Sequence, residues 1–280
     1  MLNDSLPPTS VAFHLRRATR IGILWTTAVA IALAAALAPP FAQPDAYHAF
    51  ADRRMLLGIP NFFDVASNLA FAAVGAAGLY FVLKGTRPQG GQAFQDPAER
   101  RAWGVVFAAT ALTCCGSWYY HLAPDNPRLA WDRLPLAVAF MGIVAAIASE
   151  RVGAAAGRRL LVPLCMLGAA SVWYWRWSAA HGQENLNPYL AVQFGSILLV
   201  LLMLALFRSR YSRGSDVFGT AILYALAKVA EVFDAAIFQA TGGIVSGHTL
   251  KHLLAAAAIF WLLRMLWLRA PVYPAALSAP

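Results

Sequence analysis

Charge is scarce in this chain. Only 12% of its 280 residues are charged and 13 are acidic, while 60% are hydrophobic. That balance argues against an ordinary soluble domain. Cysteine is scarce as well: Cys114, Cys115 and Cys165 all fall inside apolar stretches, without the spacing of a disulfide framework. They read as packing residues. Internal repeats, long linkers and a low-complexity tail are also absent, so one domain is expected.

What the chain has instead is length in apolar runs. A bilayer-spanning helix needs roughly 20 mostly apolar residues. Eight stretches qualify, near 21–38, 62–84, 102–121, 132–150, 159–177, 188–207, 216–239 and 246–268. The expected fold is all-α: a polytopic membrane bundle with a seven-helix core over 39–268 and one extra N-terminal transmembrane helix at 21–38. Residues 1–20 would form a cytoplasmic segment and 269–280 a cytoplasmic tail.

The net charge of +9 reports topology rather than a nucleic-acid partner. Arg16, Arg17 and Arg20 precede the first stretch, and Lys84, Arg87, Arg100 and Arg101 bracket the loop after the second. Arg151, Arg158 and Arg159 follow the fourth, Arg208, Arg210 and Arg213 the sixth, and Arg264 and Arg269 close the last. The connections between carry fewer: Arg53, Arg54, Arg128, Arg133 and Arg176. This alternation obeys the positive-inside rule and puts both termini in the cytoplasm. The first stretch has the basic start of a signal peptide, but its exit reads Ala36-Leu37-Ala38-Pro39-Pro40. Proline after a small-residue site disfavours cleavage, so a retained anchor is expected. The external segment 39–61 is proline-rich, and the loop 85–101, with Pro88, Gly90 and Gly91, is expected to be a flexible turn. Trp118, Tyr119, Tyr120, Trp131, Trp173, Tyr174, Trp175 and Trp177 are expected as anchors at the outer boundary.

The topology brings three histidines to one side of the membrane. His121 ends the third stretch, and His248 and His252 open the eighth at a spacing of four, which puts both rings on one helical face. Histidine at membrane depth suggests function by default. Three imidazoles with an open fourth position suit a catalytic zinc, and the i, i+4 pair is a spacing that helical zinc ligands use. His14, His48 and His181 lie in expected tails or loops and carry no comparable signal.

Polar residues cluster at the same depth. Ser117 lies one turn before His121: either it bonds back to a carbonyl of its own helix or it donates to an oxyanion near the metal. Asp132 either caps the fourth helix or takes a proton from water. Asp64, Ser67 and Asn68 enter the second stretch, as a packing network or as partners that orient a zinc histidine. Lys228, Glu231 and Asp234 recur at three-residue spacing. Lys228 needs an acidic partner at that depth, and Glu231 is the nearest, so a structural ion pair is expected. Lys251 is expected to snorkel to the outer surface.

Ser117-x-x-x-His121, Asp132 eleven residues later, and His248-x-x-x-His252 together carry a resemblance. Over roughly residues 50–268 the chain resembles the alkaline ceramidases, in the superfamily of seven-helix membrane hydrolases that also contains the adiponectin receptors. Val65-Ala66-Ser67-Asn68-Leu69 looks like that family's first core helix. The resemblance implies zinc held by His121, His248 and His252, an oxyanion partner in Ser117, and a proton-handling Asp132. It also implies a ceramide-like amide as substrate, cleaved to a fatty acid and a sphingoid base. Two departures stand out. The helix at 21–38 is additional, and Asp52-Arg53-Arg54-Met55-Leu56-Leu57-Gly58-Ile59-Pro60-Asn61 holds one carboxylate where some members carry an acidic calcium site. Calcium is therefore not expected. The extra helix and compact loops look more like bacterial members, which implies an inner-membrane location with the site near the periplasmic side.

The expected function is zinc-dependent hydrolysis of a lipid N-acyl amide by an integral membrane enzyme, without an obligate protein partner. Three alternatives stay open at this point: a receptor or signalling module with structural zinc, a proton-coupled transporter using Lys228, Glu231 and Asp234, and a haem protein.

Overall fold

The computed structural model describes residues 8–272, with side chains from residue 16 onward. Helices account for the architecture, and no β-strand occurs among the described residues. The order is α1 (Pro8–Leu37), a short 3-10 turn (Asp45–His48), α2 (Phe62–Ser67), α3 (Leu69–Lys84), α4 (Pro97–Leu122) and α5 (Asn126–Arg151). Then come α6 (Ala154–Ala180), α7 (Asn187–Leu206), α8 (Asp216–Val232), α9 (Asp234–Ala240) and α10 (Gly247–Leu268).

Six segments are long and apolar enough to cross a membrane: Arg16–Leu37, Phe62–Lys84, Asn126–Arg151, Ala154–Ala180, Asn187–Leu206 and Gly247–Leu268. Exposed Leu83, Leu112, Val162, Met166, Phe194 and Ile222 give the bundle an apolar exterior suited to hydrocarbon. The two other expected stretches differ for physical reasons. α4 has 26 residues but buries Glu99, Thr110, Thr113, Ser117 and His121, so its polarity belongs to the interior. The stretch 216–239 is broken at Phe233 into α8, of 17 residues, and α9.

Several boundaries depart from expectation. α1 runs unbroken from Pro8, and its apolar membrane-length part is Arg16–Leu37; residues 1–7 lie outside the described residues. α5 starts at Asn126 because Asp125 caps it, its side chain accepting the Arg128 N–H at 2.7 Å, with proline in the first turn. At the other end, the described residues after α10, 269–272, are held against the bundle. Arg269 is buried and pairs with Glu150 at 2.5 Å, Trp103 Nε1 donates to the same carboxylate at 2.7 Å, and Val272 N–H bonds Arg210 O. Residues 273–280 lie outside the described residues.

Packing is sequential around the core: α4 lies between α3 and α5, α6 packs on α5, and α10 packs against α8 and α3. α1 packs on α7 at the outside of the bundle. The aromatic residues expected as anchors divide. Trp131, Trp173 and Trp177 are exposed, whereas Tyr120 and Trp175 are fully buried. Tyr120 is covered by His48 and Phe50 from the segment before α2, whereas Trp175 donates to Glu184 and faces the Arg133 guanidinium.

Candidate metal centre

Three local features bring the histidines together. His121 ends α4, and its carbonyl accepts a hydrogen bond from Asn61 Nδ2 at 2.8 Å. His248 and His252 lie in the first two turns of α10, whose start is capped by Ser246 Oγ accepting the Thr249 N–H at 2.9 Å. Asp64 fixes that turn from α2, accepting from Thr249 Oγ1 at 2.7 Å and Ser246 Oγ at 3.3 Å. The result is a buried group of three imidazoles, each offering a nitrogen, all within 4.8 Å of one another. Exposures are 0% for His121, 4% for His248 and 3% for His252.

The environment fits a metal ion. Both ring nitrogens of His121 are buried without a hydrogen-bond partner. Burying unpaired polar nitrogens costs free energy, and coordination satisfies them. His252 has a defined tautomer. Ser67 Oγ donates to the Asp64 carbonyl at 3.0 Å, so at 2.8 Å from His252 Nδ1 it accepts that nitrogen's proton. Nε2 of His252 is thereby left as the lone-pair nitrogen. The cluster could hold a metal ion, and among the described residues the group has three members.

Ser117 and Asp132 face a cavity of about 290 Å³ that His252 also lines. Their approach depends on backbone contact between α4 and α5. Pro135 has no N–H to give the carbonyl of Trp131 four residues earlier, and Gly116 packs on that carbonyl. A Cβ at Gly116 would stand 2.1 Å from Trp131 O and 3.2 Å from Asp132 N. Asp132 is buried, two turns inside α5, so it is not the cap, which is Asp125. Ser117 Oγ is buried and does not bond back to its own helix; its polar neighbour is the Asp132 side chain.

The remaining polar residues sort clearly. Ser67 touches a site histidine, and Asp64 holds the start of α10. Asn68 Nδ2 donates to the Asp64 carbonyl at 2.7 Å, at the junction of α2 and α3. Lys228 and Glu231 form the expected ion pair. Asp234 stands apart from them: it accepts the Ala51 N–H at 2.9 Å and the His248 N–H at 2.8 Å. Lys251 does not snorkel. Its ammonium turns into the cavity, 3.0 Å from Glu231 Oε1 and 3.0 Å from His248 Nε2.

Comparison with known proteins returns no matching family model and no match among curated proteins.

The segment between α1 and α2 supplies contacts that its sequence gave little reason to expect. Phe50 lies over the triad, its ring centroid 4.7 Å from that of His121 and 4.5 Å from that of His248. Tyr47 Oη donates to Glu231 Oε1 at 2.8 Å, and His48 bridges Tyr120 Oη and Asn126 Oδ1. Asp52 is buried; burial raises its pKa, but its bonds from Arg54, at 2.6 Å and 2.8 Å, outweigh this and leave it below the usual carboxylate value. Beneath the site, Phe71, Thr113, Leu136, Phe140, Tyr224 and Ala255 are shared with a deeper apolar cavity of about 100 Å³. α7 packs on α1, α5 and α6, while a Gln193–Tyr224 hydrogen bond spans its gap to α8.

Proposed function

We propose that this protein is an integral membrane zinc amidohydrolase acting on a lipid N-acyl amide, ceramide-like in shape. The observation that carries the reading is a buried group of three histidines, one of which, His252, lines a cavity that also holds Ser117 and Asp132. The cavity continues into apolar space between helices. Polar chemistry at one end and hydrocarbon at the other matches a substrate with a reactive amide and a long chain.

Zinc, when bound by His121, His248 and His252, would supply a Lewis acid that polarises a carbonyl and acidifies water toward neutral pH. Asp132 would accept the proton of the attacking water as general base. Ser117 Oγ, beside Asp132 at the same cavity, would donate to the oxyanion of the tetrahedral intermediate. The same Asp132 would return a proton to the departing amine, balancing the cleavage into a carboxylic acid and a free amine. Phe50, over the histidines, would keep bulk water from them. The alternation of basic loops supports cytoplasmic termini and a site on the far side of a bacterial inner membrane.

The test has two parts. Elemental mass spectrometry of the purified protein should find about one zinc per chain and none in His252→Ala. Asp132→Asn should keep the zinc yet lose N-acyl amide turnover. An absence of metal after chelator-free purification removes the hydrolase reading, and full turnover in Asp132→Asn removes the base assignment.

A further inference from the structure

The cavity beside the histidines carries more positive than negative side chains. Its lining includes Arg133, Lys228 and Lys251 against the carboxylates Asp132 and Glu231. Glu231 is shared by both lysines and also accepts from Tyr47 Oη. Arg133 forms no ion pair with either carboxylate, and its direct contacts are neutral groups. It is 6% exposed, its Nη2 donates to Gln43 Oε1 at 2.5 Å, and its Nη1 has no hydrogen-bond partner. Three aromatic rings face the guanidinium, with centroids at 4.6 Å for Trp175, 4.8 Å for Tyr189 and 5.5 Å for Tyr47.

Neighbouring positions on a helix point in different directions, so Asp132 and Arg133 serve different parts of the cavity. Cation–π contacts and one amide oxygen offset part of the cost of burying the guanidinium. They leave a positive charge, and an orphaned donor, in a low-dielectric interior where unpaired charge is expensive. A divalent metal on three neutral imidazoles adds to that excess. A neutral lipid amide would leave all of it uncompensated, whereas an anionic head group would offset it and provide an acceptor for a guanidinium fork.

We infer that the substrate is an N-acyl amide whose amine half carries an anionic group, a carboxylate being the smallest, read by Arg133 with Lys228 and Lys251. This rests on the reading of the same site as one for N-acyl lipids, and it narrows the substrate class from ceramide-like to acidic. Arg133 is then a specificity-determining residue, held in place by the aromatic rings and by Gln43.

The experiment compares N-hexadecanoylglycine with N-hexadecanoylethanolamine, which share the acyl chain and differ in head-group charge. Equilibrium binding by tryptophan fluorescence and turnover are measured in parallel on zinc-loaded full-length protein in detergent. The wild type should bind the glycine conjugate about tenfold or more tightly than the ethanolamide. Arg133→Gln should reduce that preference to below about threefold, and Arg133→Lys should restore part of it. Because Arg133 is buried, Lys228→Gln serves as a second variant and should move the preference in the same direction. Equal or tighter binding of the ethanolamide by the wild type, binding of neither compound, or a preference unchanged in both variants overturns the inference. A preference for the glycine conjugate without hydrolysis of either compound keeps the recognition of an anionic head group by Arg133 and overturns the amidohydrolase reading.

Discussion

Ser67 on α2 and His252 on α10 share one proton: the hydroxyl, committed as donor to the Asp64 carbonyl, accepts from Nδ1 of the imidazole at 2.8 Å. The contact joins residues 185 positions apart and fixes both the tautomer and the tilt of the ring before any metal arrives.

Ser67→Ala should therefore weaken zinc binding by about 10- to 100-fold while leaving the fold intact. Competition with a chromophoric chelator measures this directly. An affinity equal to that of the wild type would show that the ring is held by packing alone.

Gly116→Ala tests the approach of α4 to α5. Its Cβ would meet a backbone oxygen at 2.1 Å, which a side-chain rotation cannot relieve. Overpacking of this kind costs about 1–3 kcal/mol, more than the roughly 1 kcal/mol gained in helix propensity. The thermal midpoint in detergent should fall. Turnover should fall further than zinc content does, since Ser117 and Asp132 are the groups displaced. An unchanged midpoint would mean that the helices separate freely here.

Glu231→Gln leaves Lys228 and Lys251 without their shared carboxylate. Breaking a buried pair by removing one partner costs on the order of 3–5 kcal/mol. Partial exposure of Lys228, 33% of its side chain, places the expected loss at the lower end. Chemical or thermal denaturation should register it, and Glu231→Asp should recover part. A variant as stable as the wild type but defective in proton-coupled uptake into vesicles would favour a transport role for this network.

The Asp52–Arg54 clasp gives the segment before α2 a pH dependence. Asp52 titrates below its ordinary range, so the folded state binds fewer protons there than the unfolded chain does. Its contribution is complete above the unfolded value of about 3.9 and is lost as pH falls through the depressed folded value. Amides of residues 49–61 should stay protected from hydrogen exchange at pH 5 and lose protection toward pH 2. Asp52→Asn should remove the dependence and increase tryptic cleavage at Arg53 and Arg54 at neutral pH. Protection that is flat across this range would assign the segment's order to Phe50 and Tyr47 instead.

Apolar runs located the helices well where the run and the helix coincide. α10 occupies Gly247–Leu268 and α7 Asn187–Leu206, close to the stretches 246–268 and 188–207. They failed where the first turns are polar, as in Asn126–Arg128 of α5, because caps lie outside any hydropathy signal. The histidine triad was legible because a spacing of four on one helix and loop charge on the others both constrain depth. Phe50, Tyr47 and Gln43 were not legible: their contacts come from an irregular segment without periodicity, across separations such as the 184 residues between Tyr47 and Glu231. Lys251 was misread for a related reason. Its partner Glu231 lies on another helix, 20 residues away, and single-helix spacing says nothing about such a pair.

Asp234 has one oxygen on the Ala51 amide and the other on the His248 amide. It is a strut between the covering segment and the helix that presents two of the three histidines. Lifting the segment would free one end of the strut, so the seating of His248 depends on the segment that covers the site. Linkage is reciprocal: an ion that stiffened the histidines would hold the covering segment down through the same carboxylate.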